Sequence, residues 1–162
     1  MTGPLPYTDT KPVGAADFYF AINATFRFIR RTLGEAALRQ YWTDLGHRYF
    51  APVCLQWKSG GLPAVAAYWR AFFAAEPGAE VTVTEAPDHV LLDVHTCPAI
   101  AHLKKGQREI DPAFCQHCYF VSQAIAQPAG LTVRVLGGNG SCRQTFAASQ
   151  PPQDLAEIRE AA

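Results

Sequence analysis

Hydrophobic side chains recur at helical spacing through the first half of the chain and at strand spacing in much of the second. From Ala15 to Leu33, Phe18, Ile22, Phe26 and Ile29 fall on one helical face, and Gly34 ends the run. Leu38, Tyr41, Trp42 and Leu45 predict a second helix from Glu35 to about Tyr49. Pro52 interrupts or kinks the next segment, with a turn or two of helix over Val53 to Trp57. Ser59-Gly60-Gly61 is a break, and Val65, Tyr68, Trp69, Phe72 and Phe73 predict a third, largely buried helix from Leu62 to about Ala75.

The period then changes. Glu80 to Glu85 alternates as a half-buried strand, Pro87-Asp88 turns, and His89 to Cys97 returns as its antiparallel partner. Pro98 to Lys105 reads as a short helix or turn. Asp111-Pro112 reads as a helix start, with Asp at the N-cap and Pro at the first helical position, running to about Ala126. Leu131 to Leu136 and Cys142 to Ala147 form a hairpin about an Asn139-Gly140 turn. After Ser149 come Pro151, Pro152 and a short charged helix. The expected organisation is an irregular arm over 1–14, one domain over 15–148 and a tail over 149–162. Its class is α+β, with N-terminal helices packed on a small antiparallel sheet.

Charge narrows the function classes. The 14 basic and 14 acidic side chains balance, which speaks against a nucleic-acid partner. Arg27, Arg30 and Arg31 lie at helical spacing and read as a solvated face. No basic start followed by an apolar run marks a secretory leader, and no stretch approaches the roughly 20 apolar residues of a membrane span. The expectation is therefore a cytoplasmic protein with no membrane partner. Its partner would be a small-molecule substrate or ligand, and a homo-oligomer is left open. In that compartment thiols stay reduced, so five cysteines read as buried, metal-binding or reactive groups rather than disulfides.

Four of the five gather late in the chain. His95 and Cys97 are two apart on a strand and share a face. Cys115 and Cys118 are three apart on a helix and share another. Cys142 opens the strand after the Asn-Gly turn. With Asp111 as cap, Cys115 falls in or just beyond the first helical turn, where free N–H groups and the helix dipole favour a thiolate. Asp111 itself reads as a pure cap before a catalytic acid. Cys115-x-x-Cys118 with Cys97 and Cys142 could form a Cys₄ zinc site, although zinc ribbons generally use two tight pairs. No parallel βαβ pattern surrounds the motif, which disfavours a thioredoxin-like dithiol. Cys54 reads as core, and His47, His89 and His102 as isolated histidines.

The order of a strand ending at Cys97, Phe114-Cys115 opening a helix, and Gly137-Gly138-Asn139-Gly140-x-Cys142 ending at Phe146 resembles the L-2-amino-thiazoline-4-carboxylic acid hydrolase family. Leu33-Gly34-Glu35-Ala36, Tyr41-Trp42 and Leu45-Gly46 are similar to that family's helical region, so the resemblance spans about residues 18 to 147. It implies hydrolytic opening of a cyclic amidine, with Cys97, Cys115 and Cys142 matching three spaced cysteines. Cys118 departs from the pattern, where an acidic residue is common. A more distant likeness to ligand-sensing domains of the vinyl-reductase type implies ligand or metal sensing. In the enzyme, Cys115 or Cys142 would attack or hold a water-activating metal, and His117 or His95 would shuttle protons. An arginine would hold a substrate carboxylate, with Arg134 and Arg143 foremost and Arg27 and Arg30 also available. In the binding module, Cys97, Cys115, Cys118 and Cys142 would hold zinc or another soft metal without turnover. An accessory protein carrying a metal or cofactor to a partner is a third option.

Overall fold

The computed structural model describes residues 15–162, and the irregular arm expected over 1–14 lies outside them. Helix α1 (Phe18–Leu33) ends at Gly34, whose N–H still reaches the Arg30 carbonyl, and α2 (Glu35–Asp44) follows at once. Their apolar faces bring Phe26, Leu38 and Trp42 into one buried cluster. The periodicity predicts a second helix running to Tyr49. Instead Leu45–Tyr49 widens into a π-helical turn, which sets Gly46 against the next layer. Helix α3 (Ala51–Ala75) breaks at Gly61, where φ of 61° and ψ of −153° suit only glycine, and Pro63 opens its second half. That half is less buried than its composition suggests. Val65 and Ala66 are fully covered, whereas Phe72 remains 38% exposed.

Strand β1 (Glu80–Glu85) and strand β2 (His89–Thr96) pair antiparallel, Val83 opposite Leu92. A short helix α4 (Pro98–Lys105), a turn over 112–115 and helix α5 (Gln116–Ala126) lead to the hairpin of β3 (Thr132–Gly138) and β4 (Ser141–Ala147). Asn139 and Gly140 turn that hairpin with φ of 56° and 114°, the positive values such a two-residue loop requires. The sheet order is β1-β2-β4-β3-β5, and the class is α+β. In the tail the charged helix shrinks to one 3-10 turn (Leu155–Glu157), and the chain then forms a fifth strand, β5 (Ile158–Arg159), parallel to β3 at Gly137 and Gly138. Arg159 thereby sits against Gly138, where a Cβ would lie 2.5 Å from the Arg159 carbonyl oxygen.

On β2 and β4 the alternation of side chains decides what faces the helices. Val90, Leu92 and Val94 of β2 point inward, as do Gln144 and Phe146 of β4. Phe146 packs edge-on to Trp57 at 5.5 Å, between α3 and the sheet. Burying a side chain of that size contributes about 2–3 kcal/mol. This cluster and the one around Phe26 and Trp42 form two separate cores, and Cys115 touches both. No helix of the described residues is long and apolar enough to cross a membrane.

Candidate functional site

The tip of the β3–β4 hairpin is the hub of the late cysteines. The backbone N–H of Cys97 donates to the Gly140 carbonyl at 2.8 Å. The backbone N–H of Asn139 donates to the Cys115 sulfur at 3.3 Å. Cys142 lies two residues beyond the turn, opposite Gly137 on one side and Val94 on the other. Cys118 joins from the first turn of α5. All four line a cavity of about 20 Å³ with His117, closed by Ile100, Phe114 and Val135. That is room for one water-sized guest. Cys54 lies apart, against the α3 side of the core, as its apolar neighbours suggest.

The turn that carries Cys115 is braced by an ion pair whose carboxylate is buried and whose arginine is partly exposed. Asp111 is fully buried, and its Oδ2 accepts from Arg30 Nε at 2.7 Å. Its Oδ1 accepts from the Ala113 N–H at 2.9 Å, and its own N–H donates to Asn23 Oδ1 at 2.9 Å. Asp111 is thus a cap, as its sequence position suggests, but it caps the turn over 112–115, and α5 begins four residues later than expected, at Gln116. Cys115 becomes the residue that enters the helix. Arg30 belongs to this brace rather than to a solvated face, and Arg27 and Arg31 pair with Glu109.

The helical position of Cys115 predicts a thiolate. Burial overrides that effect and pushes its thiol up to about 12, against the opposing pull of the Asn139 N–H. Cys97 is pushed up to about 11, by burial first and by Cys118 second, while the N–H groups of Ile100 and Ala99 act the other way. Cys118 is pushed up to about 12 by burial, opposed by its own backbone N–H. Cys142 rises furthest, through burial and then the neighbouring Cys118, and its one opposing partner is the Gln144 amide. The cluster therefore holds protons at neutral pH, and N–H donors reach two of its sulfurs, Asn139 at Cys115 and Gln144 at Cys142.

His117 is the cluster's imidazole. Its ring lies 5.0 Å from Phe114 and 5.4 Å from Phe26, and this burial holds it neutral by lowering its pKa. Nδ1 faces the Phe114 carbonyl, which can only accept, so Nδ1 carries the proton and Nε2 keeps its lone pair. That Nε2 lies 3.7 Å from the Cys118 sulfur. Among the cluster thiols it is Cys118 that the His117 ring meets.

Three expected site residues lie elsewhere. His95 is exposed on the outer face of the sheet, with Nε2 3.2 Å from Thr82 Oγ1. Strand β2 ends at Thr96 and the chain turns at Pro98, so the alternation that groups His95 with Cys97 stops before it reaches the cysteine. Arg143 shares the outer face and pairs with Asp93 directly across the strands, Nε to Oδ1 at 2.9 Å. Arg134 pairs with Glu157. Neither arginine lines the cavity.

Gln144 belongs to no motif that the sequence offers, although it follows Cys142 by two on the same strand face. It is 4% exposed, its Nε2 donates to the Cys142 sulfur at 3.7 Å, and its Oε1 has no partner. A buried acceptor left unsatisfied costs about 1–3 kcal/mol. Two of the remaining histidines have local roles: His102 packs on Phe20 and pairs with Asp17, and His89 pairs with Asp88. Among the described residues, no group of three or more His, Cys, Asp or Glu side chains stands ready-made to hold a metal. Comparison with protein-family models, with curated proteins and with solved structures found no match to this chain.

Proposed function

We propose that this chain is a binding domain for one soft metal ion, zinc foremost, held by the thiolates of Cys97, Cys115, Cys118 and Cys142. The observation that carries the reading is that four cysteines line one small cavity, with N–H donors on the sulfurs of Cys115 and Cys142. Buried thiols with ordinary packing roles do not need such donors, whereas thiolates bound to a metal do. A cation replaces the four protons, and its charge removes the repulsion among the sulfurs. The neutral Nε2 of His117 is a fifth donor of the right kind. Binding requires the sulfurs to draw inward, because no three donors are set in advance among the described residues.

Elemental analysis of untagged protein, with thiol titration on the same sample, tests this. The expected result is one zinc per chain with the four cluster thiols protected. Cys115→Ser should release the metal and lower Tm sharply, because binding free energy at such a site is folding free energy. Metal-free protein carrying a fast-reacting thiol at pH 7 would overturn the reading.

One observation favours a second reading, the hydrolase implied by the family resemblance. The Cys118 sulfur lies beside the His117 ring, 3.7 Å from Nε2 and 4.0 Å from Nδ1, and Nδ1 is held on a carbonyl, so a small turn of the side chain would bring the free Nε2 to the thiol as a general base. Turnover of 2-amino-thiazoline-4-carboxylate by metal-free protein, lost in both Cys118→Ser and His117→Ala, would establish it. A flat trace at high enzyme concentration would remove it.

A further inference from the structure

A cleft of about 540 Å³ lies on the face of the sheet opposite the helices, a volume typical of small-molecule sites. Strand parity builds it. Cys142, Gln144 and Phe146 of β4 point inward, so Arg143, Thr145 and Ala147 point out, and all three line the cleft. Leu91 of β2 lies directly opposite Thr145 and completes a half-buried floor. The chain leaving β4 forms one wall. There the Gln150 amide donates to the carbonyls of Thr132 and Thr145 at 2.9 and 3.0 Å, which holds Ser149 at the rim. The Asp88–His89 turn stands on the β2 side, with His89 Nδ1 2.7 Å from Asp88 Oδ1.

Arg143 is the cleft's cation, and its pairing with Asp93 leaves it a second face. Asp93 takes the side of the guanidinium: Nε lies 2.9 Å from Oδ1 and Nη2 3.4 Å from Oδ2. A guanidinium carries five N–H groups in one plane, and a side-on carboxylate uses two of them. The end of the fork, Nη1 with the second N–H of Nη2, has no protein partner among the described residues, and the side chain is 57% exposed. That end matches a second carboxylate through two parallel hydrogen bonds. Asp93 also holds the fork in place, so little freedom is lost when a second carboxylate arrives. Arg134 makes the same side-on pair with Glu157, but it does not line the cleft. Beyond Arg143 the surface turns apolar, at Leu91, Ala147 and Ala148.

We infer that this cleft binds a small monocarboxylic acid, its carboxylate on the end of the Arg143 fork and its apolar body across Leu91 and Ala147. The Thr145 hydroxyl supplies a further donor between the two. Charge limits the guest to one negative group. Asp88 lines the cleft and Asp93 holds its arginine, so a dianionic phosphate would meet two carboxylates and one guanidinium. The cleft lies across the sheet from the thiols and needs no metal, so it stands or falls apart from the soft-metal reading.

Two-dimensional amide NMR of the full chain tests this, with hexanoate and benzoate as probes and hexanamide, acetate and inorganic phosphate beside them. Both acids should shift the amides of Leu91, Arg143, Thr145 and Ala147 saturably at millimolar concentration or below. Hexanamide lacks the charge and should bind at least about tenfold more weakly, the usual size of a charge-assisted hydrogen bond. Acetate lacks the chain and should also be weaker by about tenfold or more, since each buried CH₂ contributes roughly fourfold. Arg143→Lys keeps a cation for Asp93 but removes the fork, and Arg143→Met removes both. Each should weaken hexanoate by about tenfold or more, whereas Arg134→Lys should leave it unchanged. Hexanoate that binds no better than hexanamide, or that survives both Arg143 variants, overturns the site. So does phosphate binding tighter than either acid, or the absence of saturable shifts with both. Broadening of these amides that grows with protein concentration would give the face to a second copy of the chain instead, and would overturn it too.

Discussion

Removing the guanidinium of Arg30 should unfold the brace that carries Cys115. Asp111 is fully buried and Arg30 Nε lies 2.7 Å from its Oδ2, with the arginine side chain 29% exposed. In Arg30→Met the aliphatic stem is kept, and the carboxylate is stranded without its cation. Losing one partner of a buried pair costs about 3–5 kcal/mol. In a chain of this size each kcal/mol moves Tm by about 2–4 °C, so the loss is roughly 6–20 °C. Asp111→Asn should cost less, because the amide still accepts from Ala113 and Arg30 can turn to water. The double variant should recover part of the Arg30→Met loss, with a coupling of about 1–3 kcal/mol. Urea unfolding of the four proteins measures the losses and the coupling, and thermal melting gives the Tm. A Tm within 2 °C of the parent for Arg30→Met, about the shift from 1 kcal/mol or less, together with a coupling near zero, would show that the pair is not a brace.

Other substitutions probe separate elements. Gly46→Ala would place a Cβ 2.5 Å from Ala124 Cβ and 2.6 Å from the Val121 carbonyl, both on α5; helix backbone cannot yield cheaply, and thermal melting should show a loss of about 1–3 kcal/mol or more. In metal-free protein, peptide mapping after iodoacetamide should find Cys97, Cys115, Cys118 and Cys142 labelled far more slowly at pH 7 than in the urea-unfolded chain. Their labelling should accelerate as pH climbs toward 11, since Cys97 is held near that value and Cys115 and Cys118 higher. Arg134→Ala and Arg143→Ala should leave zinc stoichiometry unchanged, because both side chains lie on the far face of the sheet; a loss of metal in either would return them to the site.

Periodicity made most of the fold legible. The strands over 80–85 and 89–96, the Asn139-Gly140 turn and the break at Gly61 all follow from local chemistry, and they stand where that chemistry puts them. Local pattern fails where a long-range partner decides. Ile158 and Arg159 form a strand only because Gly137 and Gly138 offer an edge to them, which no spacing within the tail reveals. Leu45–Tyr49 leaves the α-helix where Gly46 packs against α5, a contact that no local spacing reveals. For the site, the four late cysteines and His117 that residue type singles out line one cavity. Side-chain parity misled at His95, because it was carried past the end of the strand. The same parity applied to Cys142 finds Gln144, a polar residue at an inward position.

The hairpin tip has a consequence for the order of assembly. Cys97, Cys115 and Cys118 are synthesised before the turn that gathers them, and β4 must pair with β2 across some 50 residues, as Asp93 and Arg143 do, before Cys142 arrives. Closing so long a loop is slow compared with forming the helices. Until then three thiols face water, and afterwards all four face a space the size of one ion. An ion bound as proposed would therefore enter most easily while the chain is still folding, and would leave only as fast as β4 lets go.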